Sequence, residues 1–331
     1  MTKKKILISG ICGFIGHHIA EHLLINTDWD IIGIDKLSYA SNGYNRLRDA
    51  VGHPHDRITL FSADFTQPIS CGSIKEIGDV DYILHLGAET HVDNSITNPE
   101  PFVFANVVGT MRMLDYARCL PNLEKFIYFS TDEVFGPAYN GTSYKEWDRY
   151  NSTNPYSASK AGGEELCLAY SNTYKIPLII THTMNAFGER QHPEKFIPMI
   201  INKVMKGESV SIHSDSTKTK AGSRFYIHCR NIASAILFLI NNAKEVRDKY
   251  NIVGEKEVNN LEMAKFIANV LGKELKYEMV DFHSSRPGHD LRYALDGTKL
   301  RELGWHIPKD FEHSLEKTIN WYLSNPKWCD W

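Results

Sequence analysis

The segment Lys5-Ile-Leu-Ile-Ser9 is a short β-branched run that passes directly into Gly10-Ile-Cys-Gly13-Phe-Ile-Gly16. A strand that feeds a glycine-spaced turn and then a helix constrains the fold more than any other feature of this chain. The glycines allow a tight turn, and backbone N–H groups around Gly10, Gly13, Phe14, Ile15 and Gly16 can approach a pyrophosphate at the positive end of the helix. The next apolar run, Asp30-Ile-Ile-Gly-Ile-Asp35, ends in a carboxylate 19 residues after Gly16. A carboxylate there accepts hydrogen bonds from adenosine ribose hydroxyls and repels a 2′-phosphate, which favours NAD over NADP. Lys36, beside it, softens that preference.

The same alternation continues along the chain. Strands are expected at Lys5–Ser9, Asp30–Asp35, Ile58–Ser62, Tyr82–Leu86, Lys125–Ser130 and Leu178–Thr183, with helices beginning near Phe14, Pro99 and Pro155. Between Phe102 and Arg118, Val103, Val107, Thr110, Met111, Leu114 and Ala117 recur at helical spacing. This pattern reads as an α/β chain with a doubly wound parallel (Rossmann) sheet. Past Pro193 it turns to mixed short elements: Ile232–Asn241, Asn260–Leu271, Lys299–Leu303 and Phe311–Leu323. The expected organisation is a cofactor domain over 1–190 and a smaller C-terminal α/β substrate lobe over 191–331, with chain crossings between them.

Composition narrows the function classes. Lys and Arg total 37 against 40 Asp and Glu, a formal net charge of −3. The only basic run is Lys3-Lys4-Lys5, so a nucleic-acid partner is not expected. No apolar stretch approaches the roughly 18–20 residues of a membrane helix, and the run after those lysines breaks at Ser9-Gly10, too soon for a signal peptide. Cys12, Cys71, Cys119, Cys167, Cys229 and Cys329 are scattered without a CxxC pair, and the 15 histidines include no HExxH. Neither a disulfide framework nor a metal site is expected, and a reducing cytoplasm fits best.

Two further segments carry chemistry. In Asn154-Pro-Tyr156-Ser-Ala-Ser-Lys160 the i, i+4 spacing places Tyr156 and Lys160 on one helix face. A phenol titrating near pH ~10 is a poor base at neutrality, and a neighbouring ammonium lowers that value by favouring the phenolate. Ser130-Thr131-Asp132-Glu133 directly follows a strand, where a doubly wound sheet opens its ligand crevice. It brings two hydroxyls and two carboxylates to that crevice.

With these motifs the chain resembles the nucleotide-sugar 4,6-dehydratases of the extended short-chain dehydrogenases/reductases. The matching segments are Asp35–Ala40, His85–Asp93, Ser130–Gly136, Asn154–Lys160, Arg190–Lys195 and Arg286–Tyr293, which span nearly the whole chain. The resemblance implies tightly held NAD, a nucleotide-diphosphate hexose as substrate and a homodimer built on helices Phe102–Arg118 and Tyr156–Tyr174. It assigns Asp64 to the adenine amino group and Tyr156, supported by Lys160 and Thr131, to the C4 hydroxyl. Glu133 becomes the base at C5 and Asp132 the acid at the C6 hydroxyl, since eliminating water needs a paired acid and base. It places Asn185, Glu194, Lys195, Arg224, Arg286 and His289 around the sugar and pyrophosphate, with His91, Asn106 and Lys218 as weaker candidates. A 4-epimerase or decarboxylase of the same fold would not require Asp132, and a non-catalytic NAD-sensing protein tends to lose Tyr or Lys. The stretches Met184–Arg190, Ser216–Ser223 and Tyr226–Arg230 depart from the family's usual pattern, which leaves the base and the sugar open.

Overall fold

The computed structural model describes residues 3–139, 141–245, 247–282 and 291–330. Its strands are β1 (Lys5–Ser9), β2 (Asp30–Asp35), β3 (Ile58–Ser62), β4 (Tyr82–His85), β5 (Lys125–Thr131), β6 (Leu178–Thr183), β7 (Asn185–Phe187), β8 (Val210–Ser214), β9 (Ser223–His228), β10 (Asp248–Ile252), β11 (Glu257–Asn259) and β12 (Tyr277–Asp281). The helices are α1 (Phe14–Asn26), α2 (Asn45–Val51), α3 (Cys71–Ile77), α4 (Val92–Thr97), α5 (Glu100–Val103), α6 (Gly109–Ala117), α7 (Pro155–Tyr174), α8 (Phe196–Lys206), α9 (Cys229–Asn242), α10 (Asn260–Val270), α11 (Thr298–Glu302) and α12 (Phe311–Ser324).

Seven parallel strands form the large sheet in the order β10-β6-β5-β4-β1-β2-β3. Both faces are covered, which is why these strands read as unbroken apolar runs. The pleat sends alternate side chains to opposite faces. Ile6 and Ile8 pack with α1 and α9 residues such as Ile19, Ile232 and Ile236. Leu7, between them, packs on the other face with Met113, Leu114 and Cys167 of α6 and α7. Each such aliphatic side chain taken out of water contributes about 1.5–3 kcal/mol. The order reverses between β1 and β4, so their carboxyl ends part and leave a crevice.

The smaller layer comprises the three-stranded sheet β11-β9-β7 and the parallel pair β12-β8. Phe187, Ile197, Ile200, Ile212, Ile267 and Ile319 form its core with α8, α10 and α12. The chain crosses between layers more than once. After residue 190 it returns to lay α9 against α1 and to pair β10 with β6.

The helical spacing over Phe102–Arg118 holds, but not as one regular helix. Phe104–Val108 form a wider π turn between α5 and α6. It buries Asn106, whose side chain accepts the Glu89 amide at 2.9 Å and donates to the Glu89 carbonyl at 3.0 Å and Ser159 Oγ at 2.8 Å. Asn106 thus clamps the loop after β4 to α7. Among the described residues no helix is long and apolar enough to cross a membrane.

Candidate active site

At the carboxyl ends of the large sheet lies a cavity of about 360 Å³. One end is made by the turn after β1. Gly10 has φ +74°, and a Cβ there would sit 2.9 Å from the backbone of Gly87, where β4 ends. A Cβ on Gly16 would run into the Gly10 carbonyl. Only glycine fits at either place. No side chain caps α1, so its first amides are left for whatever enters the cavity. Asp35 closes this end, accepting the Cys12 amide at 2.9 Å and the Leu37 amide at 2.8 Å. An uncapped helix start with a buried carboxylate beyond it suits a dinucleotide's diphosphate and ribose.

The other end is built by β5 and α7. Thr131, the last residue of β5, pairs in register with Thr183. Its hydroxyl accepts the Glu133 amide at 3.4 Å and donates to Asp132 Oδ1 at 3.0 Å, capping the 3₁₀ turn Asp132–Phe135. It also hydrogen-bonds with the Tyr156 hydroxyl. α7 opens with a capping box between Asn154 and Ser157. Asn154 Nδ2 donates to Glu133 Oε2 at 2.9 Å, so one residue both starts the helix and orients the carboxylate. Lys160 lies one turn beyond Tyr156, its Nζ 4.2 Å above the Tyr128 ring.

Burial dominates the electrostatics. It pushes the Asp132 carboxyl up to about 7, with help from the Glu133 charge and against Arg224 and Thr131. Asp132 Oδ2 is buried with no hydrogen-bond partner. Burial pulls the Lys160 ammonium down to about 8. The Tyr156 phenol is raised by burial and by Glu133, and Thr131 opposes this. That is the reverse of the lowering that a neighbouring ammonium alone produces.

The cavity wall includes Gly10, Gly13, Phe14, Ile15, Gly16, Asp35, Lys36, Thr131, Asp132, Glu133, Tyr156, Lys160, Asn185, Glu194 and Lys195. Lys36 pairs with Glu89 at 2.6 Å. Asp64 does not line the cavity. The residue is exposed and accepts the Thr66 amide at 2.9 Å, while its neighbour Phe65 takes the place on the wall. His91 caps α4 and lies 3.7 Å from Glu194, behind the wall. Arg224 does not line it but is buried close enough for its charge to act on Asp132, donating to the Ser223 and Leu291 carbonyls at 2.7 Å and lying 4.7 Å over the Tyr293 ring. Lys218 sits at φ +56° in the turn between β8 and β9. Arg286 and His289 lie outside the described residues. Arg46, which no local pattern singles out, is buried on the wall and donates to the carbonyls of Arg190, Cys12 and Ala40.

Residues 7–318 match the family model described as GDP-mannose 4,6 dehydratase. dTDP-glucose 4,6-dehydratase 1 of Escherichia coli K12 is 34% identical, covering 98% of this chain and 94% of that protein. A trifunctional UDP-glucose 4,6-dehydratase/UDP-4-keto-6-deoxy-D-glucose 3,5-epimerase/UDP-4-keto-L-rhamnose-reductase of Arabidopsis thaliana is 35% identical over 98% of this chain. The chain spans only 48% of that longer protein. The crystal structure of DesIV, a dTDP-glucose 4,6-dehydratase from Streptomyces venezuelae with NAD and TYD bound, superposes with a TM-score of 0.88 at 31% identity, covering 98% of each chain. With a family model matched over residues 7–318, the chain belongs to the GDP-mannose 4,6 dehydratase family.

Proposed function

We propose that the chain is an NAD-dependent nucleotide-diphosphate hexose 4,6-dehydratase acting on a dTDP- or UDP-glucose-type substrate to give a 4-keto-6-deoxy sugar nucleotide. The observation that carries this reading is the adjacent pair Asp132 and Glu133. One is buried with an unpartnered oxygen, and the other is oriented by Asn154. A carboxyl near 7 beside a held carboxylate forms an acid–base pair, which water elimination needs.

The glycine turn, Asp35 and Lys36 would hold the cofactor, with Tyr156 and Lys160 on the wall at the other end of the cavity. When bound, NAD supplies the acceptor for the C4 hydrogen and returns it at C6. Tyr156, once the Lys160 ammonium one turn away and the positive nicotinamide favour its phenolate over the burial that opposes it, takes the C4 hydroxyl proton. The C4 ketone acidifies the C5 proton, which Glu133 removes. Asp132 protonates the departing C6 hydroxyl. Asn185, Glu194 and Lys195 stand where the sugar and its diphosphate enter. Residues 1–190 together with α9 and β10 carry the cofactor, and the smaller layer carries the sugar nucleotide.

The assembly is a cytoplasmic homodimer on this reading. Val103 and Phe104, 48% and 51% exposed, offer an apolar face where α5 meets the π turn, with α7 packed beside it. Sedimentation at micromolar concentration is expected to show the dimer, and a monomer would count against it.

Substrate deuterated at C4 should give product deuterated at C6, within the same molecule, and turnover in heavy water should label C5. Label that stays at C4 or is lost to solvent rejects the reaction.

Glu133→Gln keeps the side chain's shape but cannot accept the C5 proton. Elimination should slow about 10²–10⁴-fold, read as the alkaline absorbance of the 4-keto product. Full turnover would move the base elsewhere.

Asp132 links the site to stability. Its folded value, about 7, lies above the ordinary 3.8, so the unfolded chain releases that proton first as pH rises. Wild type should lose stability to Asp132→Asn between about pH 4 and 7, and melting curves for the two proteins that stay parallel would disprove it.

A further inference from the structure

Behind the catalytic strand end lies a buried polar cluster that the proposed mechanism does not use. Glu164 of α7, one turn beyond Lys160, is fully buried. Its Oε1 accepts the hydroxyl of Ser130, the residue before Thr131. Its Oε2 accepts the Tyr150 hydroxyl and lies 3.1 Å from His182 Nε2 on β6 and 3.4 Å from Lys249 Nζ on β10. Asn251 Nδ2 donates to the Tyr144 and Asp296 carbonyls, both at 3.0 Å, which turns Oδ1 toward His182 Nδ1 at 3.0 Å. Both nitrogens of the His182 ring are thus engaged, one with Asn251 and one with Glu164.

A buried cluster of this kind is expensive to desolvate, and well-packed apolar side chains of similar volume are often as stable or more so. Its placement is what sets it apart. Ser130 pairs with His182 in the β5–β6 ladder, so Glu164 fixes two neighbouring strands at the register from which the catalytic run leaves the sheet. Glu164 also shares a helix face with Lys160.

The groups facing Lys160 are Tyr128 on β5, His85 on β4, and Tyr156, Glu164 and Cys167 on α7. Burial raises the Tyr128 phenol and the Cys167 thiol and lowers His85 to about 3, so these stay neutral. Glu164 is the anion among them. His182, Lys249 and Ser130 hold its carboxyl down to about 2 despite burial.

We propose that Glu164 is a positioning residue for the reaction, tying down the strand end that delivers Thr131, Asp132 and Glu133 and, from one helix turn away, acting through its charge on the Lys160 ammonium. This rests on the functional reading above for the roles of those four side chains.

The test is an NMR titration of lysine ε-methylene signals on the full chain, with Lys160→Met identifying the Lys160 resonance, beside steady-state turnover on a panel of nucleotide-diphosphate hexoses. In wild type the Lys160 midpoint is expected near 8. A midpoint below about 6, where unsupported buried lysines fall, overturns the proposal without any variant. Glu164→Gln should lower the midpoint by about one unit or more. It should also cut kcat about ten- to hundredfold with KM within about twofold. Glu164→Asp, which keeps the charge, should restore the midpoint. An unchanged midpoint in Glu164→Gln overturns the proposal whatever happens to turnover, because lost activity would then reflect packing alone. If wild type forms no 4-keto product from any hexose in the panel, the functional reading fails, and the Lys160 titration still decides the role of Glu164.

Discussion

Everything at the site depends on how closely β1 and β4 approach before they part. Gly10 stands against the backbone of Gly87 with no room for a Cβ between them. Beyond that contact the strands diverge, and the first turn of α1 faces open space. A side chain at this point would wedge the strand ends apart and change the angle at which α1 leaves the sheet. The diphosphate-sized space and the helix start that lines it are thus one consequence of a single close approach.

At the far end of the cavity, desolvation sets the chemistry. Asp132, Tyr156 and Lys160 are each moved toward their neutral forms by burial. Polar contacts from two side chains keep this from becoming merely destabilising. Thr131 connects Asp132 with Tyr156, and Asn154 restrains Glu133. Two adjacent carboxyl groups thus meet different surroundings, one buried with an unpartnered oxygen and one held by Asn154.

The parts legible in the sequence are those that a short window encodes. The glycine turn, the carboxylate ending β2, the hydroxyl–carboxylate run and the Tyr156–Lys160 spacing each depend on neighbours within a few residues. The large sheet was equally readable, because strands buried on both faces carry continuous apolar runs. What stayed hidden depends on distant partners. Arg46 is held by the carbonyl of Arg190, 144 residues away, and Lys36 turns to Glu89 rather than standing free. Asp64 is drawn into its own turn by the Thr66 amide, a local competition that the family comparison does not reveal. The π turn at Phe104–Val108 is invisible to helical periodicity, because the apolar spacing survives one widened turn.

The return of the chain to the large sheet has a consequence for how the protein is made. β10 pairs with β6 in the register Asp248↔Ile179, and it does so only after the chain has passed through α8, β8, β9 and α9. During synthesis the amino-terminal sheet leaves the ribosome with β6 as an open edge, rich in β-branched residues and able to template pairing with another chain. Closing that edge waits for a segment made much later, so this contact has a high sequence separation and forms slowly. Lys249 and Asn251 arrive on the same strand and meet Glu164 and His182 at that moment. Covering the sticky edge and completing the polar cluster behind the active site are therefore a single late folding event.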